Sequence, residues 1–172
     1  MKKIILLGYM GCGKSTIAKL LAIKVNLPCL DLDEIIEKRE NATVKSIFSE
    51  KGEIYFRKIE HEIFTDLMKN QDSFILSLGG GTPCYANNHE LLKGEYVFSI
   101  YLKGSVSTLY DRLRNANTER PLIANKSPEE MKEFIAKNLF DRSFYYNQAQ
   151  YKINIDDKTV EDILDEIETV LA

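Results

Sequence analysis

Histidine and cysteine are scarce in this chain, with two and three among 172 residues. Three thiols cannot all pair, and Cys12, Cys29 and Cys84 have no zinc-ligand spacing with one another or with His61 and His89. A disulfide framework and a structural zinc site are therefore not expected. The thiols read as reduced cysteines of a cytoplasmic protein, and the two histidines as structural or surface residues. There is no excess of positive charge either. At a net charge of −3 the chain has no general attraction for nucleic acid or an anionic membrane, so any anion site must be local. No apolar run approaches the length that spans a bilayer. The start, Met1-Lys2-Lys3 and four apolar residues, is too short for a secretory leader. Without repeats, low-complexity tracts or linkers, residues 1–172 read as one domain long enough to bury a core.

What is present begins at the amino end. The apolar run Lys3–Leu7 leads into Gly8-Tyr9-Met10-Gly11-Cys12-Gly13-Lys14-Ser15, and Thr16 onward carries apolar residues at helical spacing to about Val25. Strand, glycine-rich loop and helix in that order, with Gly8, Gly13, Lys14 and Ser15 correctly spaced, make a P-loop. Glycines let the backbone curl so that its N–H groups converge at the positive end of a helix. Lys14 can reach β- and γ-phosphates, and the Ser15 hydroxyl can ligate Mg²⁺. Such a loop binds a nucleoside triphosphate. Cys12, inside an anion-binding loop at a helix amino end, has the setting of a stabilised, reactive thiolate.

After Asn26-Leu27-Pro28 the stretch Cys29–Asp33 predicts a second short strand, and Ile35-Ile36 the start of a helix ending near Asn41. Thr43 predicts a cap for the next helix, which Gly52 interrupts. A longer helix follows over Glu53–Lys69, with Ile59, Ile63, Phe64 and Leu67 on one face. Phe74–Leu78 and Val97–Leu102 predict a third and fourth strand, the third buried on both faces. Ser105 caps a helix with Leu109 and Leu113. Asn115–Lys126 is polar and irregular. Ser127-Pro128-Glu129-Glu130 predicts a capping box opening a helix to about Ala149, with a possible break. Tyr151–Ile155 and a final helix capped by Thr159 complete the chain. Strands alternating with helices imply right-handed βαβ units and a parallel sheet covered on both faces, with ligands beyond the carboxyl ends of the strands.

Several residues could carry chemistry there. Alternation along a strand puts Asp31 and Asp33 on the same side: one could hold Mg²⁺ through water, the other orient a substrate hydroxyl. The competing reading is that acids ending a strand cap the next helix. Arg57 falls near the apolar face of its helix and needs either an acid such as Glu60 or an anionic ligand. Gly79-Gly80-Gly81 predicts close approach of a ligand to the backbone and free N–H donors, against the plainer reading of a tight turn. Arg120-Pro121 lies in a candidate lid over about 115–126, where an arginine can close on a triphosphate. Arg112 and Arg142 could stack on a base or fork onto a carboxylate. The aromatic stretch Phe144–Tyr151 is expected to be core rather than a nucleic-acid platform.

Taken in order, these motifs resemble the shikimate kinase family over nearly the whole chain: Gly8 to Thr16, Asp31-Leu32-Asp33, Phe56-Arg57 with Glu60, Gly79–Gly81, Arg112-Leu113, Arg120-Pro121-Leu122 and Arg142. The P-loop is shared by many families, whereas Asp33, Arg57, the triple glycine and Arg142 together are far more specific. The resemblance implies a three-layer α/β/α fold of the nucleoside monophosphate kinase type, with a five-stranded parallel sheet in order 2-3-1-4-5. It implies ATP-dependent phosphorylation of the 3-hydroxyl of shikimate, on the route to chorismate and the aromatic amino acids. Gly11, Cys12, Gly13, Lys14, Ser15 and Thr16 would hold ATP with Arg112 by the adenine. Asp33 would be the base, with Lys14 and Arg120 the other catalytic groups. Arg57 and Arg142 would hold the carboxylate, Gly79–Gly81 would line the substrate site within reach of a helical segment at about 33–60, and Ser15 and Asp31 would serve Mg²⁺. ATP and shikimate are the expected partners of a cytoplasmic monomer, with no nucleic acid or membrane. Cys12, where the family more often has serine or alanine, and Thr82-Pro83-Cys84-Tyr85, where small or aliphatic residues are frequent, depart from the pattern. Another small-molecule P-loop kinase, and a nucleotide-binding regulator without turnover, are the alternatives.

Overall fold

A computed structural model describes residues 1–116 and 125–172. Five strands, β1 (Lys3–Leu7), β2 (Cys29–Asp31), β3 (Phe74–Ser77), β4 (Val97–Lys103) and β5 (Tyr151–Asn154), form one sheet in order β2-β3-β1-β4-β5. Every pairing is parallel. Helices α1 (Lys14–Val25), α2 (Leu32–Glu40), α3 (Val44–Lys69), α4 (Val106–Arg114), α5 (Pro128–Tyr146) and α6 (Val160–Leu171) connect and cover it. The central strand β1 has no exposed residue and β3 none either, which is why both read as unbroken apolar runs rather than alternating ones.

Local chemistry accounts for most boundaries. Thr43, Ser105, Ser127 and Thr159 each accept a backbone N–H from the first turn of the helix that follows, satisfying donors that the helix itself leaves open. Gly52 breaks the 26-residue α3 with φ 84 and ψ 170, a conformation that side chains disfavour. The apolar face of α3 buries Ile59, Ile63 and Phe64.

Residues 29–33 differ from the single strand that their alternation predicts. Asp31 ends β2 and its Oδ1 accepts the backbone N–H groups of Asp33 at 2.9 Å and Glu34 at 3.2 Å. It is the N-cap of α2, so Leu32 is already helical. A short acid next to open helix donors gains more from capping than from one further strand residue. Asp31 and Asp33 therefore do not share a strand face: one caps the helix and the other projects from its first turn. α5 runs unbroken to Tyr146. Its aromatic end is core only in part, with Tyr146 buried and Phe144 62% exposed. Between β3 and β4, two 3₁₀ turns at Thr82–Cys84 and Asn88–Leu92 show no periodicity that predicts them.

Candidate active site

The P-loop carries out its curl through three glycines with positive φ: Gly8 at 150°, Gly11 at 81° and Gly13 at 96°. Gly13 is the N-cap of α1 and brings no side chain to it, so the first-turn N–H groups stay open to an anion. The Lys14 ammonium donates to the carbonyls of Gly8 at 2.7 Å and Tyr9 at 3.1 Å, which holds it over the loop that a phosphate would enter. Arg112, from α4, donates to the Cys12 carbonyl at 3.1 Å. Cys12 itself is 1% exposed, so its sulfur lacks the solvent access that the reactivity expected from its position requires. The loop turns the sulfur inward, away from solvent, and burial rather than the helix end decides its access.

One cavity of about 460 Å³ joins this loop to the ends of β2 and β3, lined by Gly11, Gly13, Ser15 and Thr16 on one side and by Asp31, Asp33, Gly79 and Gly80 on the other; Lys14 and Arg112 also face it. Asp33 is pushed up to about 6, chiefly by burial, then by the carboxylates of Asp31, Glu60 and Glu37, against which Lys14 acts. A carboxylate tuned in that direction is suited to accept a proton near neutral pH.

The triple glycine has a different reason from the one its composition suggests. None of Gly79, Gly80 or Gly81 has positive φ. What needs the missing side chains is side-chain approach. A Cβ on Gly79 would lie 3.0 Å from Thr82 Oγ1 and 3.3 Å from Asp33 Oδ1, one on Gly80 3.3 Å from an Arg142 nitrogen, and one on Gly81 2.7 Å from an Arg57 nitrogen. The turn is the surface against which the acid and both arginines are packed. Two of its carbonyls, at Gly79 and Gly81, accept the N–H groups of Thr82 and Cys84.

Arg57, Gly81 and Arg142 do not line the cavity; Arg142 packs against Gly80 of its wall, and Arg57 lies behind, against Gly81. Arg57 pairs with the buried carboxylate of Glu60 at 2.9 Å, and Glu60 in turn accepts the Thr82 hydroxyl at 2.8 Å. The internal ion pair is thus present. Arg142 lies 3.4 Å from the Tyr146 hydroxyl, which donates to the Gly80 carbonyl at 2.6 Å. Burial pushes the Cys84 thiol up to about 11, opposed by Arg142 and Arg57, so the Thr82–Cys84 turn lies within the field of both arginines. Arg120 lies outside the described residues, as does most of the candidate lid. His61 hydrogen-bonds Asn88 at 2.7 Å and His89 packs against Phe144 and Tyr145, the structural roles expected of them. Tyr146, Thr82 and Tyr85 were not candidates from sequence. Tyr146 had a signal, since it is four residues from Arg142 on one helix; Thr82 and Tyr85 had none.

Residues 10–172 match the family model described as shikimate kinase. A shikimate kinase of Flavobacterium johnsoniae is 58% identical over all 172 residues, covering the whole of both chains. Among solved structures, shikimate kinase from Bacteroides thetaiotaomicron superposes with a TM-score of 0.89 at 34% identity, over 99% of this chain and 98% of that one. The enzyme from Acinetobacter baumannii, solved in complex with shikimate, gives 0.85 at 29% identity, over 99% and 93%.

Proposed function

This chain belongs to the shikimate kinase family, and on that premise we infer that it transfers the γ-phosphoryl group of ATP to the 3-hydroxyl of shikimate, giving shikimate 3-phosphate and ADP. The observation that carries the reading is the single cavity in which an open P-loop with its lysine faces a carboxylate of raised pKa. A phosphate donor and a hydroxyl acceptor need those two groups in one enclosure.

In this assignment Asp33 orients the 3-hydroxyl and takes its proton as the oxygen attacks phosphorus. Lys14 leaves the loop carbonyls and follows the charge on the β- and γ-phosphates. Gly11, Cys12, Gly13, Ser15 and Thr16 supply backbone and hydroxyl donors to the phosphates, and Arg112 lies toward the adenine. Arg57 and Arg142 fork onto the carboxylate of shikimate, and Gly79–Gly81 allow the ring close to the backbone. Arg120 is assigned to the lid by the family motif alone. Mg²⁺, when bound with ATP, neutralises charge on the β- and γ-phosphates. Ser15 and Asp31 would hold it, both at the cavity wall. Their oxygens suit a hard cation, and the described residues include no acidic or thiol cluster able to cage an ion unaided. That fits an ion held by few protein ligands, with water and substrate phosphates completing its shell.

A single domain with its lid at about 115–126 and the acceptor-binding segment at about 33–60, a monomeric state and a cytoplasmic location belong to the same proposal. Supporting the last, all three cysteines are free, as a reducing compartment requires. The test is ADP release from purified protein with ATP and Mg²⁺. Release dependent on shikimate and not on gluconate is expected. Release with neither acceptor, or with gluconate equally, overturns the assignment in favour of an ATPase regulator or another small-molecule kinase.

A further inference from the structure

Arg57 is held by more than its ion pair. Its guanidinium carbon lies 4.0 Å from the centroid of the Tyr85 ring, with the rings of Phe56 and Phe48 at 5.2 and 5.8 Å. Glu60 takes one nitrogen at 2.9 Å, and Glu53 stands 3.6 Å from Nε. Nε itself is buried and makes no hydrogen bond. The second terminal nitrogen is turned to Gly81, 2.7 Å from where a Cβ would sit. Phe48 and Phe56 come from α3 with Arg57, but Tyr85 arrives from the loop after the triple glycine.

That loop is built to deliver the ring. Ala86 and Asn87 are both left-handed, at φ 49 and 56, a conformation that L residues enter only when their surroundings impose it. The next residue, Asn88, is fully buried. Its amide donates to the Thr82 carbonyl at 2.9 Å, and its oxygen accepts from His61 Nδ1 on α3 at 2.7 Å. The turn is thereby tied both to itself and to the helix carrying Arg57. Tyr85, by contrast, is 39% exposed, so it is not placed there to fill the core.

We propose that Tyr85 is a positioning residue for the acceptor arginine, its ring holding the Arg57 guanidinium in the orientation that a carboxylate needs. The proposal rests on the assignment of Arg57 to the shikimate carboxylate. Glu60, Glu53, Phe48 and Phe56 all hold Arg57 from its own helix α3; without a ring from outside it the guanidinium plane keeps more freedom, and fixing it at binding costs side-chain entropy. Stacking on Tyr85 settles the orientation beforehand.

Four proteins test this: Tyr85→Leu, Tyr85→Phe, Arg57→Ala and the double variant Tyr85→Leu/Arg57→Ala. Tyr85→Leu should raise KM for shikimate about 3–10-fold, the range for a half-exposed cation–π contact, with kcat and KM for ATP unchanged. Tyr85→Phe keeps the ring and should restore wild-type KM. In the Arg57→Ala background Tyr85→Leu should add nothing, because the group it positions is gone. If Arg57→Ala raises KM for shikimate but Tyr85→Leu does not, the arginine assignment stands and the role of Tyr85 is refuted. An equal rise in both backgrounds also refutes it, since Tyr85 would then act without Arg57. If Arg57→Ala leaves KM for shikimate unchanged, the underlying assignment fails first.

Discussion

Two groups of glycines stand at opposite sides of the site, Gly11 and Gly13 facing Gly79 and Gly80 in its cavity, and they are glycines for different reasons. In the P-loop, Gly8, Gly11 and Gly13 are required by backbone conformation, since all three have positive φ. In the turn after β3, Gly79, Gly80 and Gly81 have ordinary φ and are crowded by side chains instead: a Cβ would stand 3.0 Å from Thr82 Oγ1, 3.3 Å from an Arg142 nitrogen and 2.7 Å from an Arg57 nitrogen. The P-loop end is thus a local device, written in eight consecutive residues that leave the first turn of α1 without a side-chain cap. The acceptor end is a tertiary device: Asp33 comes from α2, Arg57 and Glu60 from α3, Arg142 from α5, and the glycine turn is where they converge. A local device is damaged chiefly from within, Arg112 of α4 being the outside group that reaches this one. A convergent one can be damaged from any of its four segments.

The largest effect should come at the nucleotide end. Lys14→Met removes the one side-chain cation of the loop and should lower kcat by about 10³-fold or more while the fold persists, because transition-state charge loses its positioned partner. Steady-state turnover beside a thermal melt checks this, and near-normal turnover in folded protein would remove the P-loop from the mechanism.

Asp33→Asn follows, with a fall in kcat of about 10²–10⁴-fold if the carboxylate accepts the proton. The same variant should be more stable than wild type at pH 7.5. The folded carboxyl sits at about 6, above its ordinary 3.8, so the native chain binds the extra proton between those values. Its stability therefore falls as pH rises through that window. Above it, the buried charge costs on the order of 1–3 kcal/mol. Melting temperatures of both proteins from pH 4 to 7.5 measure the difference: Asn should gain at the upper end and show no gain near pH 4. A gain that does not change with pH would mean that packing, not charge, is being read.

The sharpest test of the comparison is one methyl group at each end. Gly13→Ala should raise KM for ATP and destabilise the protein, since left-handed backbone with a Cβ costs about 1–2 kcal/mol. Gly81→Ala should raise KM for shikimate about tenfold or more, the scale for disturbing a desolvated charge pair, with KM for ATP intact. If both variants affect the same substrate, the division between a conformational and a spatial requirement is wrong.

The smallest effect concerns the thiols. Brief iodoacetamide treatment of native protein should label exposed Cys29 first, leave Cys84 slow because burial holds it at about 11, and spare Cys12. Peptide mass spectrometry reads the order. Early loss of activity with Cys12 labelled would show that the loop opens far more than its packing indicates.

Most of the fold was legible because it is encoded at short range. β1, β3 and β4 are apolar runs bounded by turns, and Thr43, Ser105, Ser127 and Thr159 each stand directly before a helix and cap the N–H three residues on. At Cys29–Asp33 alternation and capping make opposite claims on the same short acid. Only the open donors of α2, which do not appear in a five-residue window, decide between them. Residues 82–92 carry no period that would announce their two 3₁₀ turns.

For the site the same line separates what is local from what is not. The P-loop, its lysine and the helix end it opens onto follow from neighbouring residues alone, because backbone dihedrals and the first turn of a helix are set within a few positions. That Arg57 pairs with Glu60 is legible at short range, the two being three residues apart on one helix. That it also stacks on Tyr85, that Asp33 is crowded by Glu60 and Asp31, and that a methyl at Gly81 would strike a guanidinium were decided by tertiary structure only. Such contacts join residues from different elements, at distances set by how the helices and the glycine turn pack against the sheet. Neither spacing nor composition records that packing; it exists only once the apolar faces are buried and the chain ends are brought to one side of the strands.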